Sequence, residues 1–245
     1  MRTRTARTFA LTTAAGGAAV IAAGRARTAL MGWGASGDER RDLVPGDDLI
    51  TDADLVATRS ITIHCPPGAV WPWIAQLGQG RAGFYSYDFL ENLVGCDIHS
   101  ANRIVPDWQQ IRPGDEIRLH PSGGLAVAVA DPGRALVLHG GVPLGRTPPP
   151  FEFTWAFVLR ERSDGTTRLV VRERYRYLKW WVALLIEPTE VASFVMSQRM
   201  LRGIRARAER GAAGGALVSL DQVSSTGWTP DDPTSVSAPS GGTHG

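Results

Sequence analysis

Lysine is almost missing from this chain: of its 26 Lys and Arg side chains, only Lys179 is a lysine. So general an arginine bias speaks for genome base composition rather than for a binding site. Net charge is scarce as well, +2 over 245 residues, which removes the bulk attraction that a nucleic-acid binder needs. Cysteine is limited to Cys65 and Cys96. Two thiols outside any CxxC make no disulfide framework, and Cys96-x-x-His99 is half a zinc site with no second pair to close it. Long apolar runs are lacking too. Phe9 to Gly24 is uncharged between flanking arginines, yet only Phe9, Leu11, Val20 and Ile21 are strongly apolar, well short of the roughly 20 residues of a membrane span. Residues 1–32 therefore read as a weak membrane anchor or signal, with a membrane-associated location expected on that account and a cytoplasmic one otherwise. No GxSxG, P-loop, dinucleotide glycine fingerprint or HExxH occurs, so no sequence motif announces a reaction, a cofactor or a metal.

What the chain has is apolar residues, 43% of it, in patterns that switch between the two regular periods. Leu55 to His64 alternates as a strand, with Leu55, Ala57, Ile61 and Ile63 on one side. Pro66-Pro67 ends it and opens a short helix over Gly68 to Leu77, whose Val70, Trp71, Ile74 and Leu77 share a face. Glycines break that helix, and a second is expected up to Val94, capped by Ser86, with Phe89, Leu90, Leu93 and Val94 as its apolar stripe. Turn signals then separate strands at Asp115 to His120, Leu125 to Ala130 and Ala135 to His139. After a proline-rich loop, Phe151, Phe153, Trp155, Phe157 and Leu159 form the aromatic face of a fourth strand. Ser163-Asp164-Gly165 turns it into Arg168 to Arg176, with Leu169, Val171, Glu173 and Tyr175 on one face and arginines on the other. Trp180 to Ile186 is a short apolar run beside Lys179, fit for a lid, a core segment or a membrane interface. Pro188 to Arg210 is a long helix with Val191, Phe194, Val195, Gln198, Leu201, Ile204 and Ala208 on one stripe, ended by Gly211. Residues 211–245, rich in small and polar types, read as a disordered tail in which Trp228 stands alone.

The order gives an α+β fold: a curved antiparallel sheet, with two short helices, wrapped around a long C-terminal helix. Several segments carry a resemblance. They are Trp33-Gly34-Ala35 with Asp38-Glu39, Leu43 to Ile50, Gly78 to Ile104, Phe153 to Phe157, Arg172 to Tyr175, and Phe194 to Glu209. Together they make residues 33–210 resemble the SRPBCC superfamily (START-like, Bet v 1-like and polyketide-cyclase proteins), and within it an actinobacterial branch. The resemblance implies the helix-grip fold and an apolar cavity, with short helices rimming its mouth, and no particular reaction. Members of that branch often begin with a transmembrane helix, and this sequence departs from them in having a much weaker one.

The candidate site residues follow from both lines. Tyr85, Tyr87, Asp88, Asn92 and His99 are polar groups clustered where a cavity mouth is expected, and Trp155 is a wall residue of the aromatic strand. The same cluster has a second reading, as hydrogen bonds bracing a glycine-rich turn. Glu173 sits among apolar neighbours on its strand face and needs a partner there, for which Arg81 and Arg103 are candidates. His99, next to Asp97 and near Asp88, and Glu173 are the acid–base candidates if the protein is an enzyme. The charge distribution sharpens this. Residues 38–210 hold 21 basic and 21 acidic side chains, so the central domain is neutral and the +2 comes from its two ends. A neutral domain suits an uncharged or apolar small molecule, lipid-like or polyketide-like, and no nucleic acid. The alternatives are a cyclase or dehydratase using the same cavity, and an accessory scaffold whose cavity is closed.

Overall fold

A computed structural model describes residues 21–93, 95–141 and 149–225. The expectations that fall on residues 1–20, on Val94, on residues 142–148 of the proline-rich loop and on residues 226–245 of the tail, Trp228 included, lie outside the described residues. The strands are β1 (Leu55–Ile63), β2 (Glu116–His120), β3 (Gly123–Asp131), β4 (Ala135–Gly140), β5 (Phe151–Glu161) and β6 (Thr167–Tyr177). They form one antiparallel sheet in the order β1-β6-β5-β4-β3-β2, curved but unclosed. The helices are α1 (21–31), α2 (Gly37–Arg41), α3 (Pro67–Ala75), α4 (Asp88–Leu93) and α5 (Val182–Ser225). With α5 packed on the sheet, the architecture is α+β and consistent with the helix-grip fold. The body that holds the sheet ends at Ala212, and a second unit begins at Ala213.

Strand alternation decides the two faces. The hairpin of β5 and β6 pairs Trp155 with Glu173 and Phe157 with Val171, and β1 adds Ala57 opposite Glu173 and Arg59 opposite Val171. These side chains share the inner face. Phe157 and Val171, with Trp155 against them, pack there with Met200, Leu201, Ile204 and Ala208 of α5 and with Val70, Trp71, Trp73 and Ile74 of α3 in one core. Pro67 begins α3 because a first-turn proline forfeits no hydrogen bond.

The outer face is covered by residues 33–54, a strap built around charge. Val44 packs on Val158 and Val170. Beside it Arg172, almost wholly buried, pairs with Asp47, donates to Thr58 Oγ1 and reaches the carbonyls of Glu39 and Asp42. Arg168 holds Glu39 at 2.6 Å, and Arg174 reaches Asp47 at 3.4 Å and the Ile50 carbonyl at 2.8 Å. Ser36 and Glu39 cap α2 reciprocally. The Arg168 guanidinium and the Ser36 amide hold the Glu39 carboxyl down at about 2 against its burial. Gly46 lets the strap lie this close: its φ is 92°, and a Cβ there would stand 2.5 Å from Val137 Cγ1.

Three expectations about helices change. Helix α5 begins at Val182, well before Pro188, and Gly211 is helical rather than a left-handed terminator. The helix runs on through Gly203, Gly211 and the Gly214-Gly215 pair, each glycine costing about 1 kcal/mol, so residues 211–225 of the expected tail are helical. Its inward face is also rotated at the N-terminal end. Val191 and Val195 are exposed, and Glu190, Ser197 and Met200 are buried in their place. Trp180 is 84% exposed, so it is neither core nor lid, and within that run Val182 is fully buried. Helix α4 turns its expected stripe outward: Phe89, Leu90 and Leu93 are exposed and Glu91 is buried. No described helix is long and apolar enough to cross a membrane.

Candidate functional site

A cavity of about 270 Å³ lies against the inner face of the sheet. Alternation supplies one wall, Phe153 and Trp155 from β5 and Glu173 and Tyr175 from β6. Helix α5 supplies the opposite wall at i, i+3, i+4 and i+7 spacing, with Ser193, Met196, Ser197 and Met200. The segment from Phe84 to Ile98 closes a side with Phe84, Ser86, Glu91, Cys96 and Ile98, and β2 adds Leu119. The walls are aromatic in character. Phe153 stacks on Tyr175 with centroids 4.5 Å apart, and Phe84 lies 5.8 Å from Trp155.

The polar groups in this wall divide into two sets. Glu173 belongs to a satisfied one. Its Oε1 accepts from Arg59 Nη1 at 2.9 Å and from Ser197 Oγ at 3.1 Å, and its Oε2 accepts from Ser193 Oγ at 3.3 Å. Arg59 and Glu173 are both buried. Arg59, not Arg81 or Arg103, is thus the partner. Arg81 donates to the carbonyls of Ala75 and Trp108 instead. β1 runs beside β6, so its inward residue at 59 lies next to 173, which the alternation of Ala57 and Ile61 already implied.

The second set has no partner among the described residues: Glu91 Oε2 and Trp155 Nε1. Burial pushes the Glu91 carboxyl up to about 7, and the nearby Asp88 charge adds to this. Burial also raises the Cys96 thiol, with Glu91 contributing, so it stands as a neutral thiol in the wall.

The residues expected at the cavity mouth are placed elsewhere, Trp155 and Glu173 excepted. Tyr85 is buried outside the cavity wall, at φ 57°. Its hydroxyl accepts from Gln76 Nε2 at 2.8 Å, Arg207 covers its ring, and burial lifts the phenol to about 12. Tyr87 packs on Phe89 and under Arg199. Asp88 accepts from both the amide and the hydroxyl of Ser100, and Asn92 brackets Ile98 through its amide and carbonyl. Ser86 caps no helix, and its hydroxyl donates to the Met196 carbonyl at 3.1 Å. The His99 side chain is 82% exposed and meets that of Asp97, 72% exposed, at 3.2 Å. These bonds brace the 84–100 segment and hold Glu91 inward. Glu91 is not among the candidate site residues read from the sequence, because the apolar stripe expected of this helix, Phe89, Leu90 and Leu93, faces outward and Glu91 takes the inward position.

No family model matches this chain, and no curated protein does. Similar solved structures include protein MLL2253 from Mesorhizobium loti, 12% identical over 64% of this chain and 98% of that one, with a TM-score of 0.37. NE0264 from Nitrosomonas europaea is 13% identical over 65% and 97%, with a TM-score of 0.41. CalU16 from Micromonospora echinospora is 16% identical over 64% and 86%, with a TM-score of 0.30.

Proposed function

We propose that the protein binds a hydrophobic small molecule, lipid-like or polyketide-like, in the cavity between the sheet and α5. The observation that carries this is the cavity itself, about 270 Å³ with aromatic and methionine walls. Its size falls between the roughly 150 Å³ that takes up benzene and the roughly 300–1,000 Å³ of drug-sized sites. Space of that size speaks against a scaffold with a closed interior. Affinity would come from apolar burial, with the few polar groups fixing orientation.

Native mass spectrometry of the full chain purified from its source cells tests the reading. The expected result is a bound mass released by denaturant and absent from Met196→Trp, which fills the space. A wild-type protein that carries no mass and takes up no apolar probe overturns it.

A second reading, a cyclase- or dehydratase-type enzyme in the same cavity, is favoured by one observation. A carboxyl at about 7 is poised to give or take a proton near neutrality. Loss of turnover in Glu91→Gln or Glu173→Gln with the fold intact would support it, and turnover retained in both would remove it.

A further inference from the structure

We propose that the ligand of this cavity is an uncharged ring compound whose hydroxyl functions meet Glu91 and Trp155, and that carboxylates and phosphates are excluded. The inference rests on the cavity reading above and deepens it. Glu91 is 6% exposed and Trp155 is half-buried, and both stand in the wall of the same cavity with an unpartnered polar atom. A buried polar group without a partner costs free energy in the folded protein, and a ligand that supplies the partner removes that cost. Trp155 Nε1 can only donate, so it calls for an acceptor. Glu91 accepts when ionised and both donates and accepts when protonated. A hydroxyl serves both, because it donates one hydrogen bond and accepts two.

Charge narrows the class further. Among the described residues the cavity wall contains no Arg, Lys or His. Arg59, which reaches the wall residues Glu173 and Ser197, is engaged by both. An anionic ligand would therefore enter a wall with two carboxyl groups and no free counter-charge. The cost of burying an unpaired charge would fall on it in full. The rings of Phe84, Phe153, Trp155 and Tyr175 favour a flat apolar body between them.

Three two-ring probes of one shape separate these terms: naphthalene, naphthol and naphthoate, titrated against the full chain at neutral pH by calorimetry. Naphthol should bind about tenfold tighter than naphthalene, the worth of one or two good hydrogen bonds, and naphthoate should bind weakest. In Glu91→Leu and Trp155→Phe the advantage of naphthol over naphthalene should shrink to about threefold or less, and in Glu91→Gln naphthoate should gain about tenfold. Naphthoate binding as tightly as naphthol in the wild type overturns the proposal, even if no variant folds. So does a naphthol preference unchanged in both Glu91→Leu and Trp155→Phe. Naphthalene and naphthol binding equally would sink this inference and leave the cavity reading standing. No binding of any probe would sink both.

Discussion

The two faces of this sheet solve the problem of buried charge in opposite ways. On the outer face every other residue of β6 from Arg168 to Arg176, apart from Val170, is an arginine. The strap from Trp33 to Asp54 answers with Glu39, Asp47 and several carbonyls. On the inner face Arg59 and Glu173 satisfy each other with help from Ser193 and Ser197, while Glu91 and Trp155 are left with open atoms. The arginine network locks the strap down, and the outer-face atoms without a partner among the described residues, Ser60 Oγ, His139 Nε2 and Arg176 Nε, line no part of the cavity. An incomplete network beside a void is where a ligand gains by arriving. The contrast shows why a count of polar residues is a poor guide to a site: the many charges of the outer face hold the strap, and the proposed ligand site lies on the sparsely polar inner face.

The strongest way to break the comparison is to leave the outer face incomplete. Arg172→Met takes from buried Asp47 its closest cation, leaving it Arg174 at 3.4 Å and the Val44 amide, and removes donors to Thr58, Glu39 and Asp42. Loss of one partner of a buried pair costs about 3–5 kcal/mol, so urea unfolding should show a loss of that order. The folded fraction should still bind an apolar probe, since Arg172 lies on the far side of the sheet from the cavity. A loss below 1 kcal/mol would mean that the strap is not held by this network.

The pH dependence of stability should show the two faces with opposite signs. Glu39 falls from 4.5 to about 2 on folding, so its contribution is present above pH 4.5 and is lost as pH falls through 2. Glu91 rises from 4.5 to about 7, so the folded state is favoured most below pH 4.5 and loses that advantage as pH climbs through 7. Each shift corresponds at most to about 3 kcal/mol. Urea titrations across pH should therefore show Glu91→Gln gaining on the wild type between about pH 5 and 8, and Glu39→Gln converging with it toward about pH 2. A Glu91→Gln difference that is flat across that range would remove Glu91 from the buried wall.

Much of this architecture was legible in the chain. The β5–β6 hairpin announced itself because a period of two with aromatic residues on one side has no helical interpretation, and the inward face of β6, Glu173 included, came with it. Helix α3 was legible for the matching reason: its expected face of Val70, Trp71, Ile74 and Leu77 is buried. What failed to show was anything fixed by tertiary hydrogen bonds. Helix α4 has six residues, too few for a hydrophobic stripe to govern, and its orientation is set by Asp88 on Ser100 and Asn92 on Ile98. The inward end of α5 is lined by Ser193 and Ser197, which no apolar periodicity can detect. The close approach of α5 to the segment holding Tyr85 depends on Gly203, where a Cβ would stand 2.4 Å from the Tyr85 carbonyl oxygen. That contact is between residues 118 positions apart, and nothing local encodes it.

The smallest expected effect falls on the residue that most invited a catalytic reading. His99 has the right chemistry for proton transfer, an adjacent carboxylate and a place in the segment that rims the cavity. Its side chain nevertheless sits in solvent, and its contact with Asp97 is between two open groups, a kind of pair that contributes about 0–1 kcal/mol. Truncating it should leave the neighbouring braces in place, since those run through Asp88, Asn92 and Ser100. His99→Ala should therefore shift stability by no more than about 0.5 kcal/mol, and the affinity for naphthol by less than about twofold. Set beside Glu91→Leu, it separates the outside of the segment from its inside. If His99→Ala cost as much affinity as Glu91→Leu, the polar wall of the cavity would have to extend out to the surface at residue 99, and the division between braces and binding groups would fail.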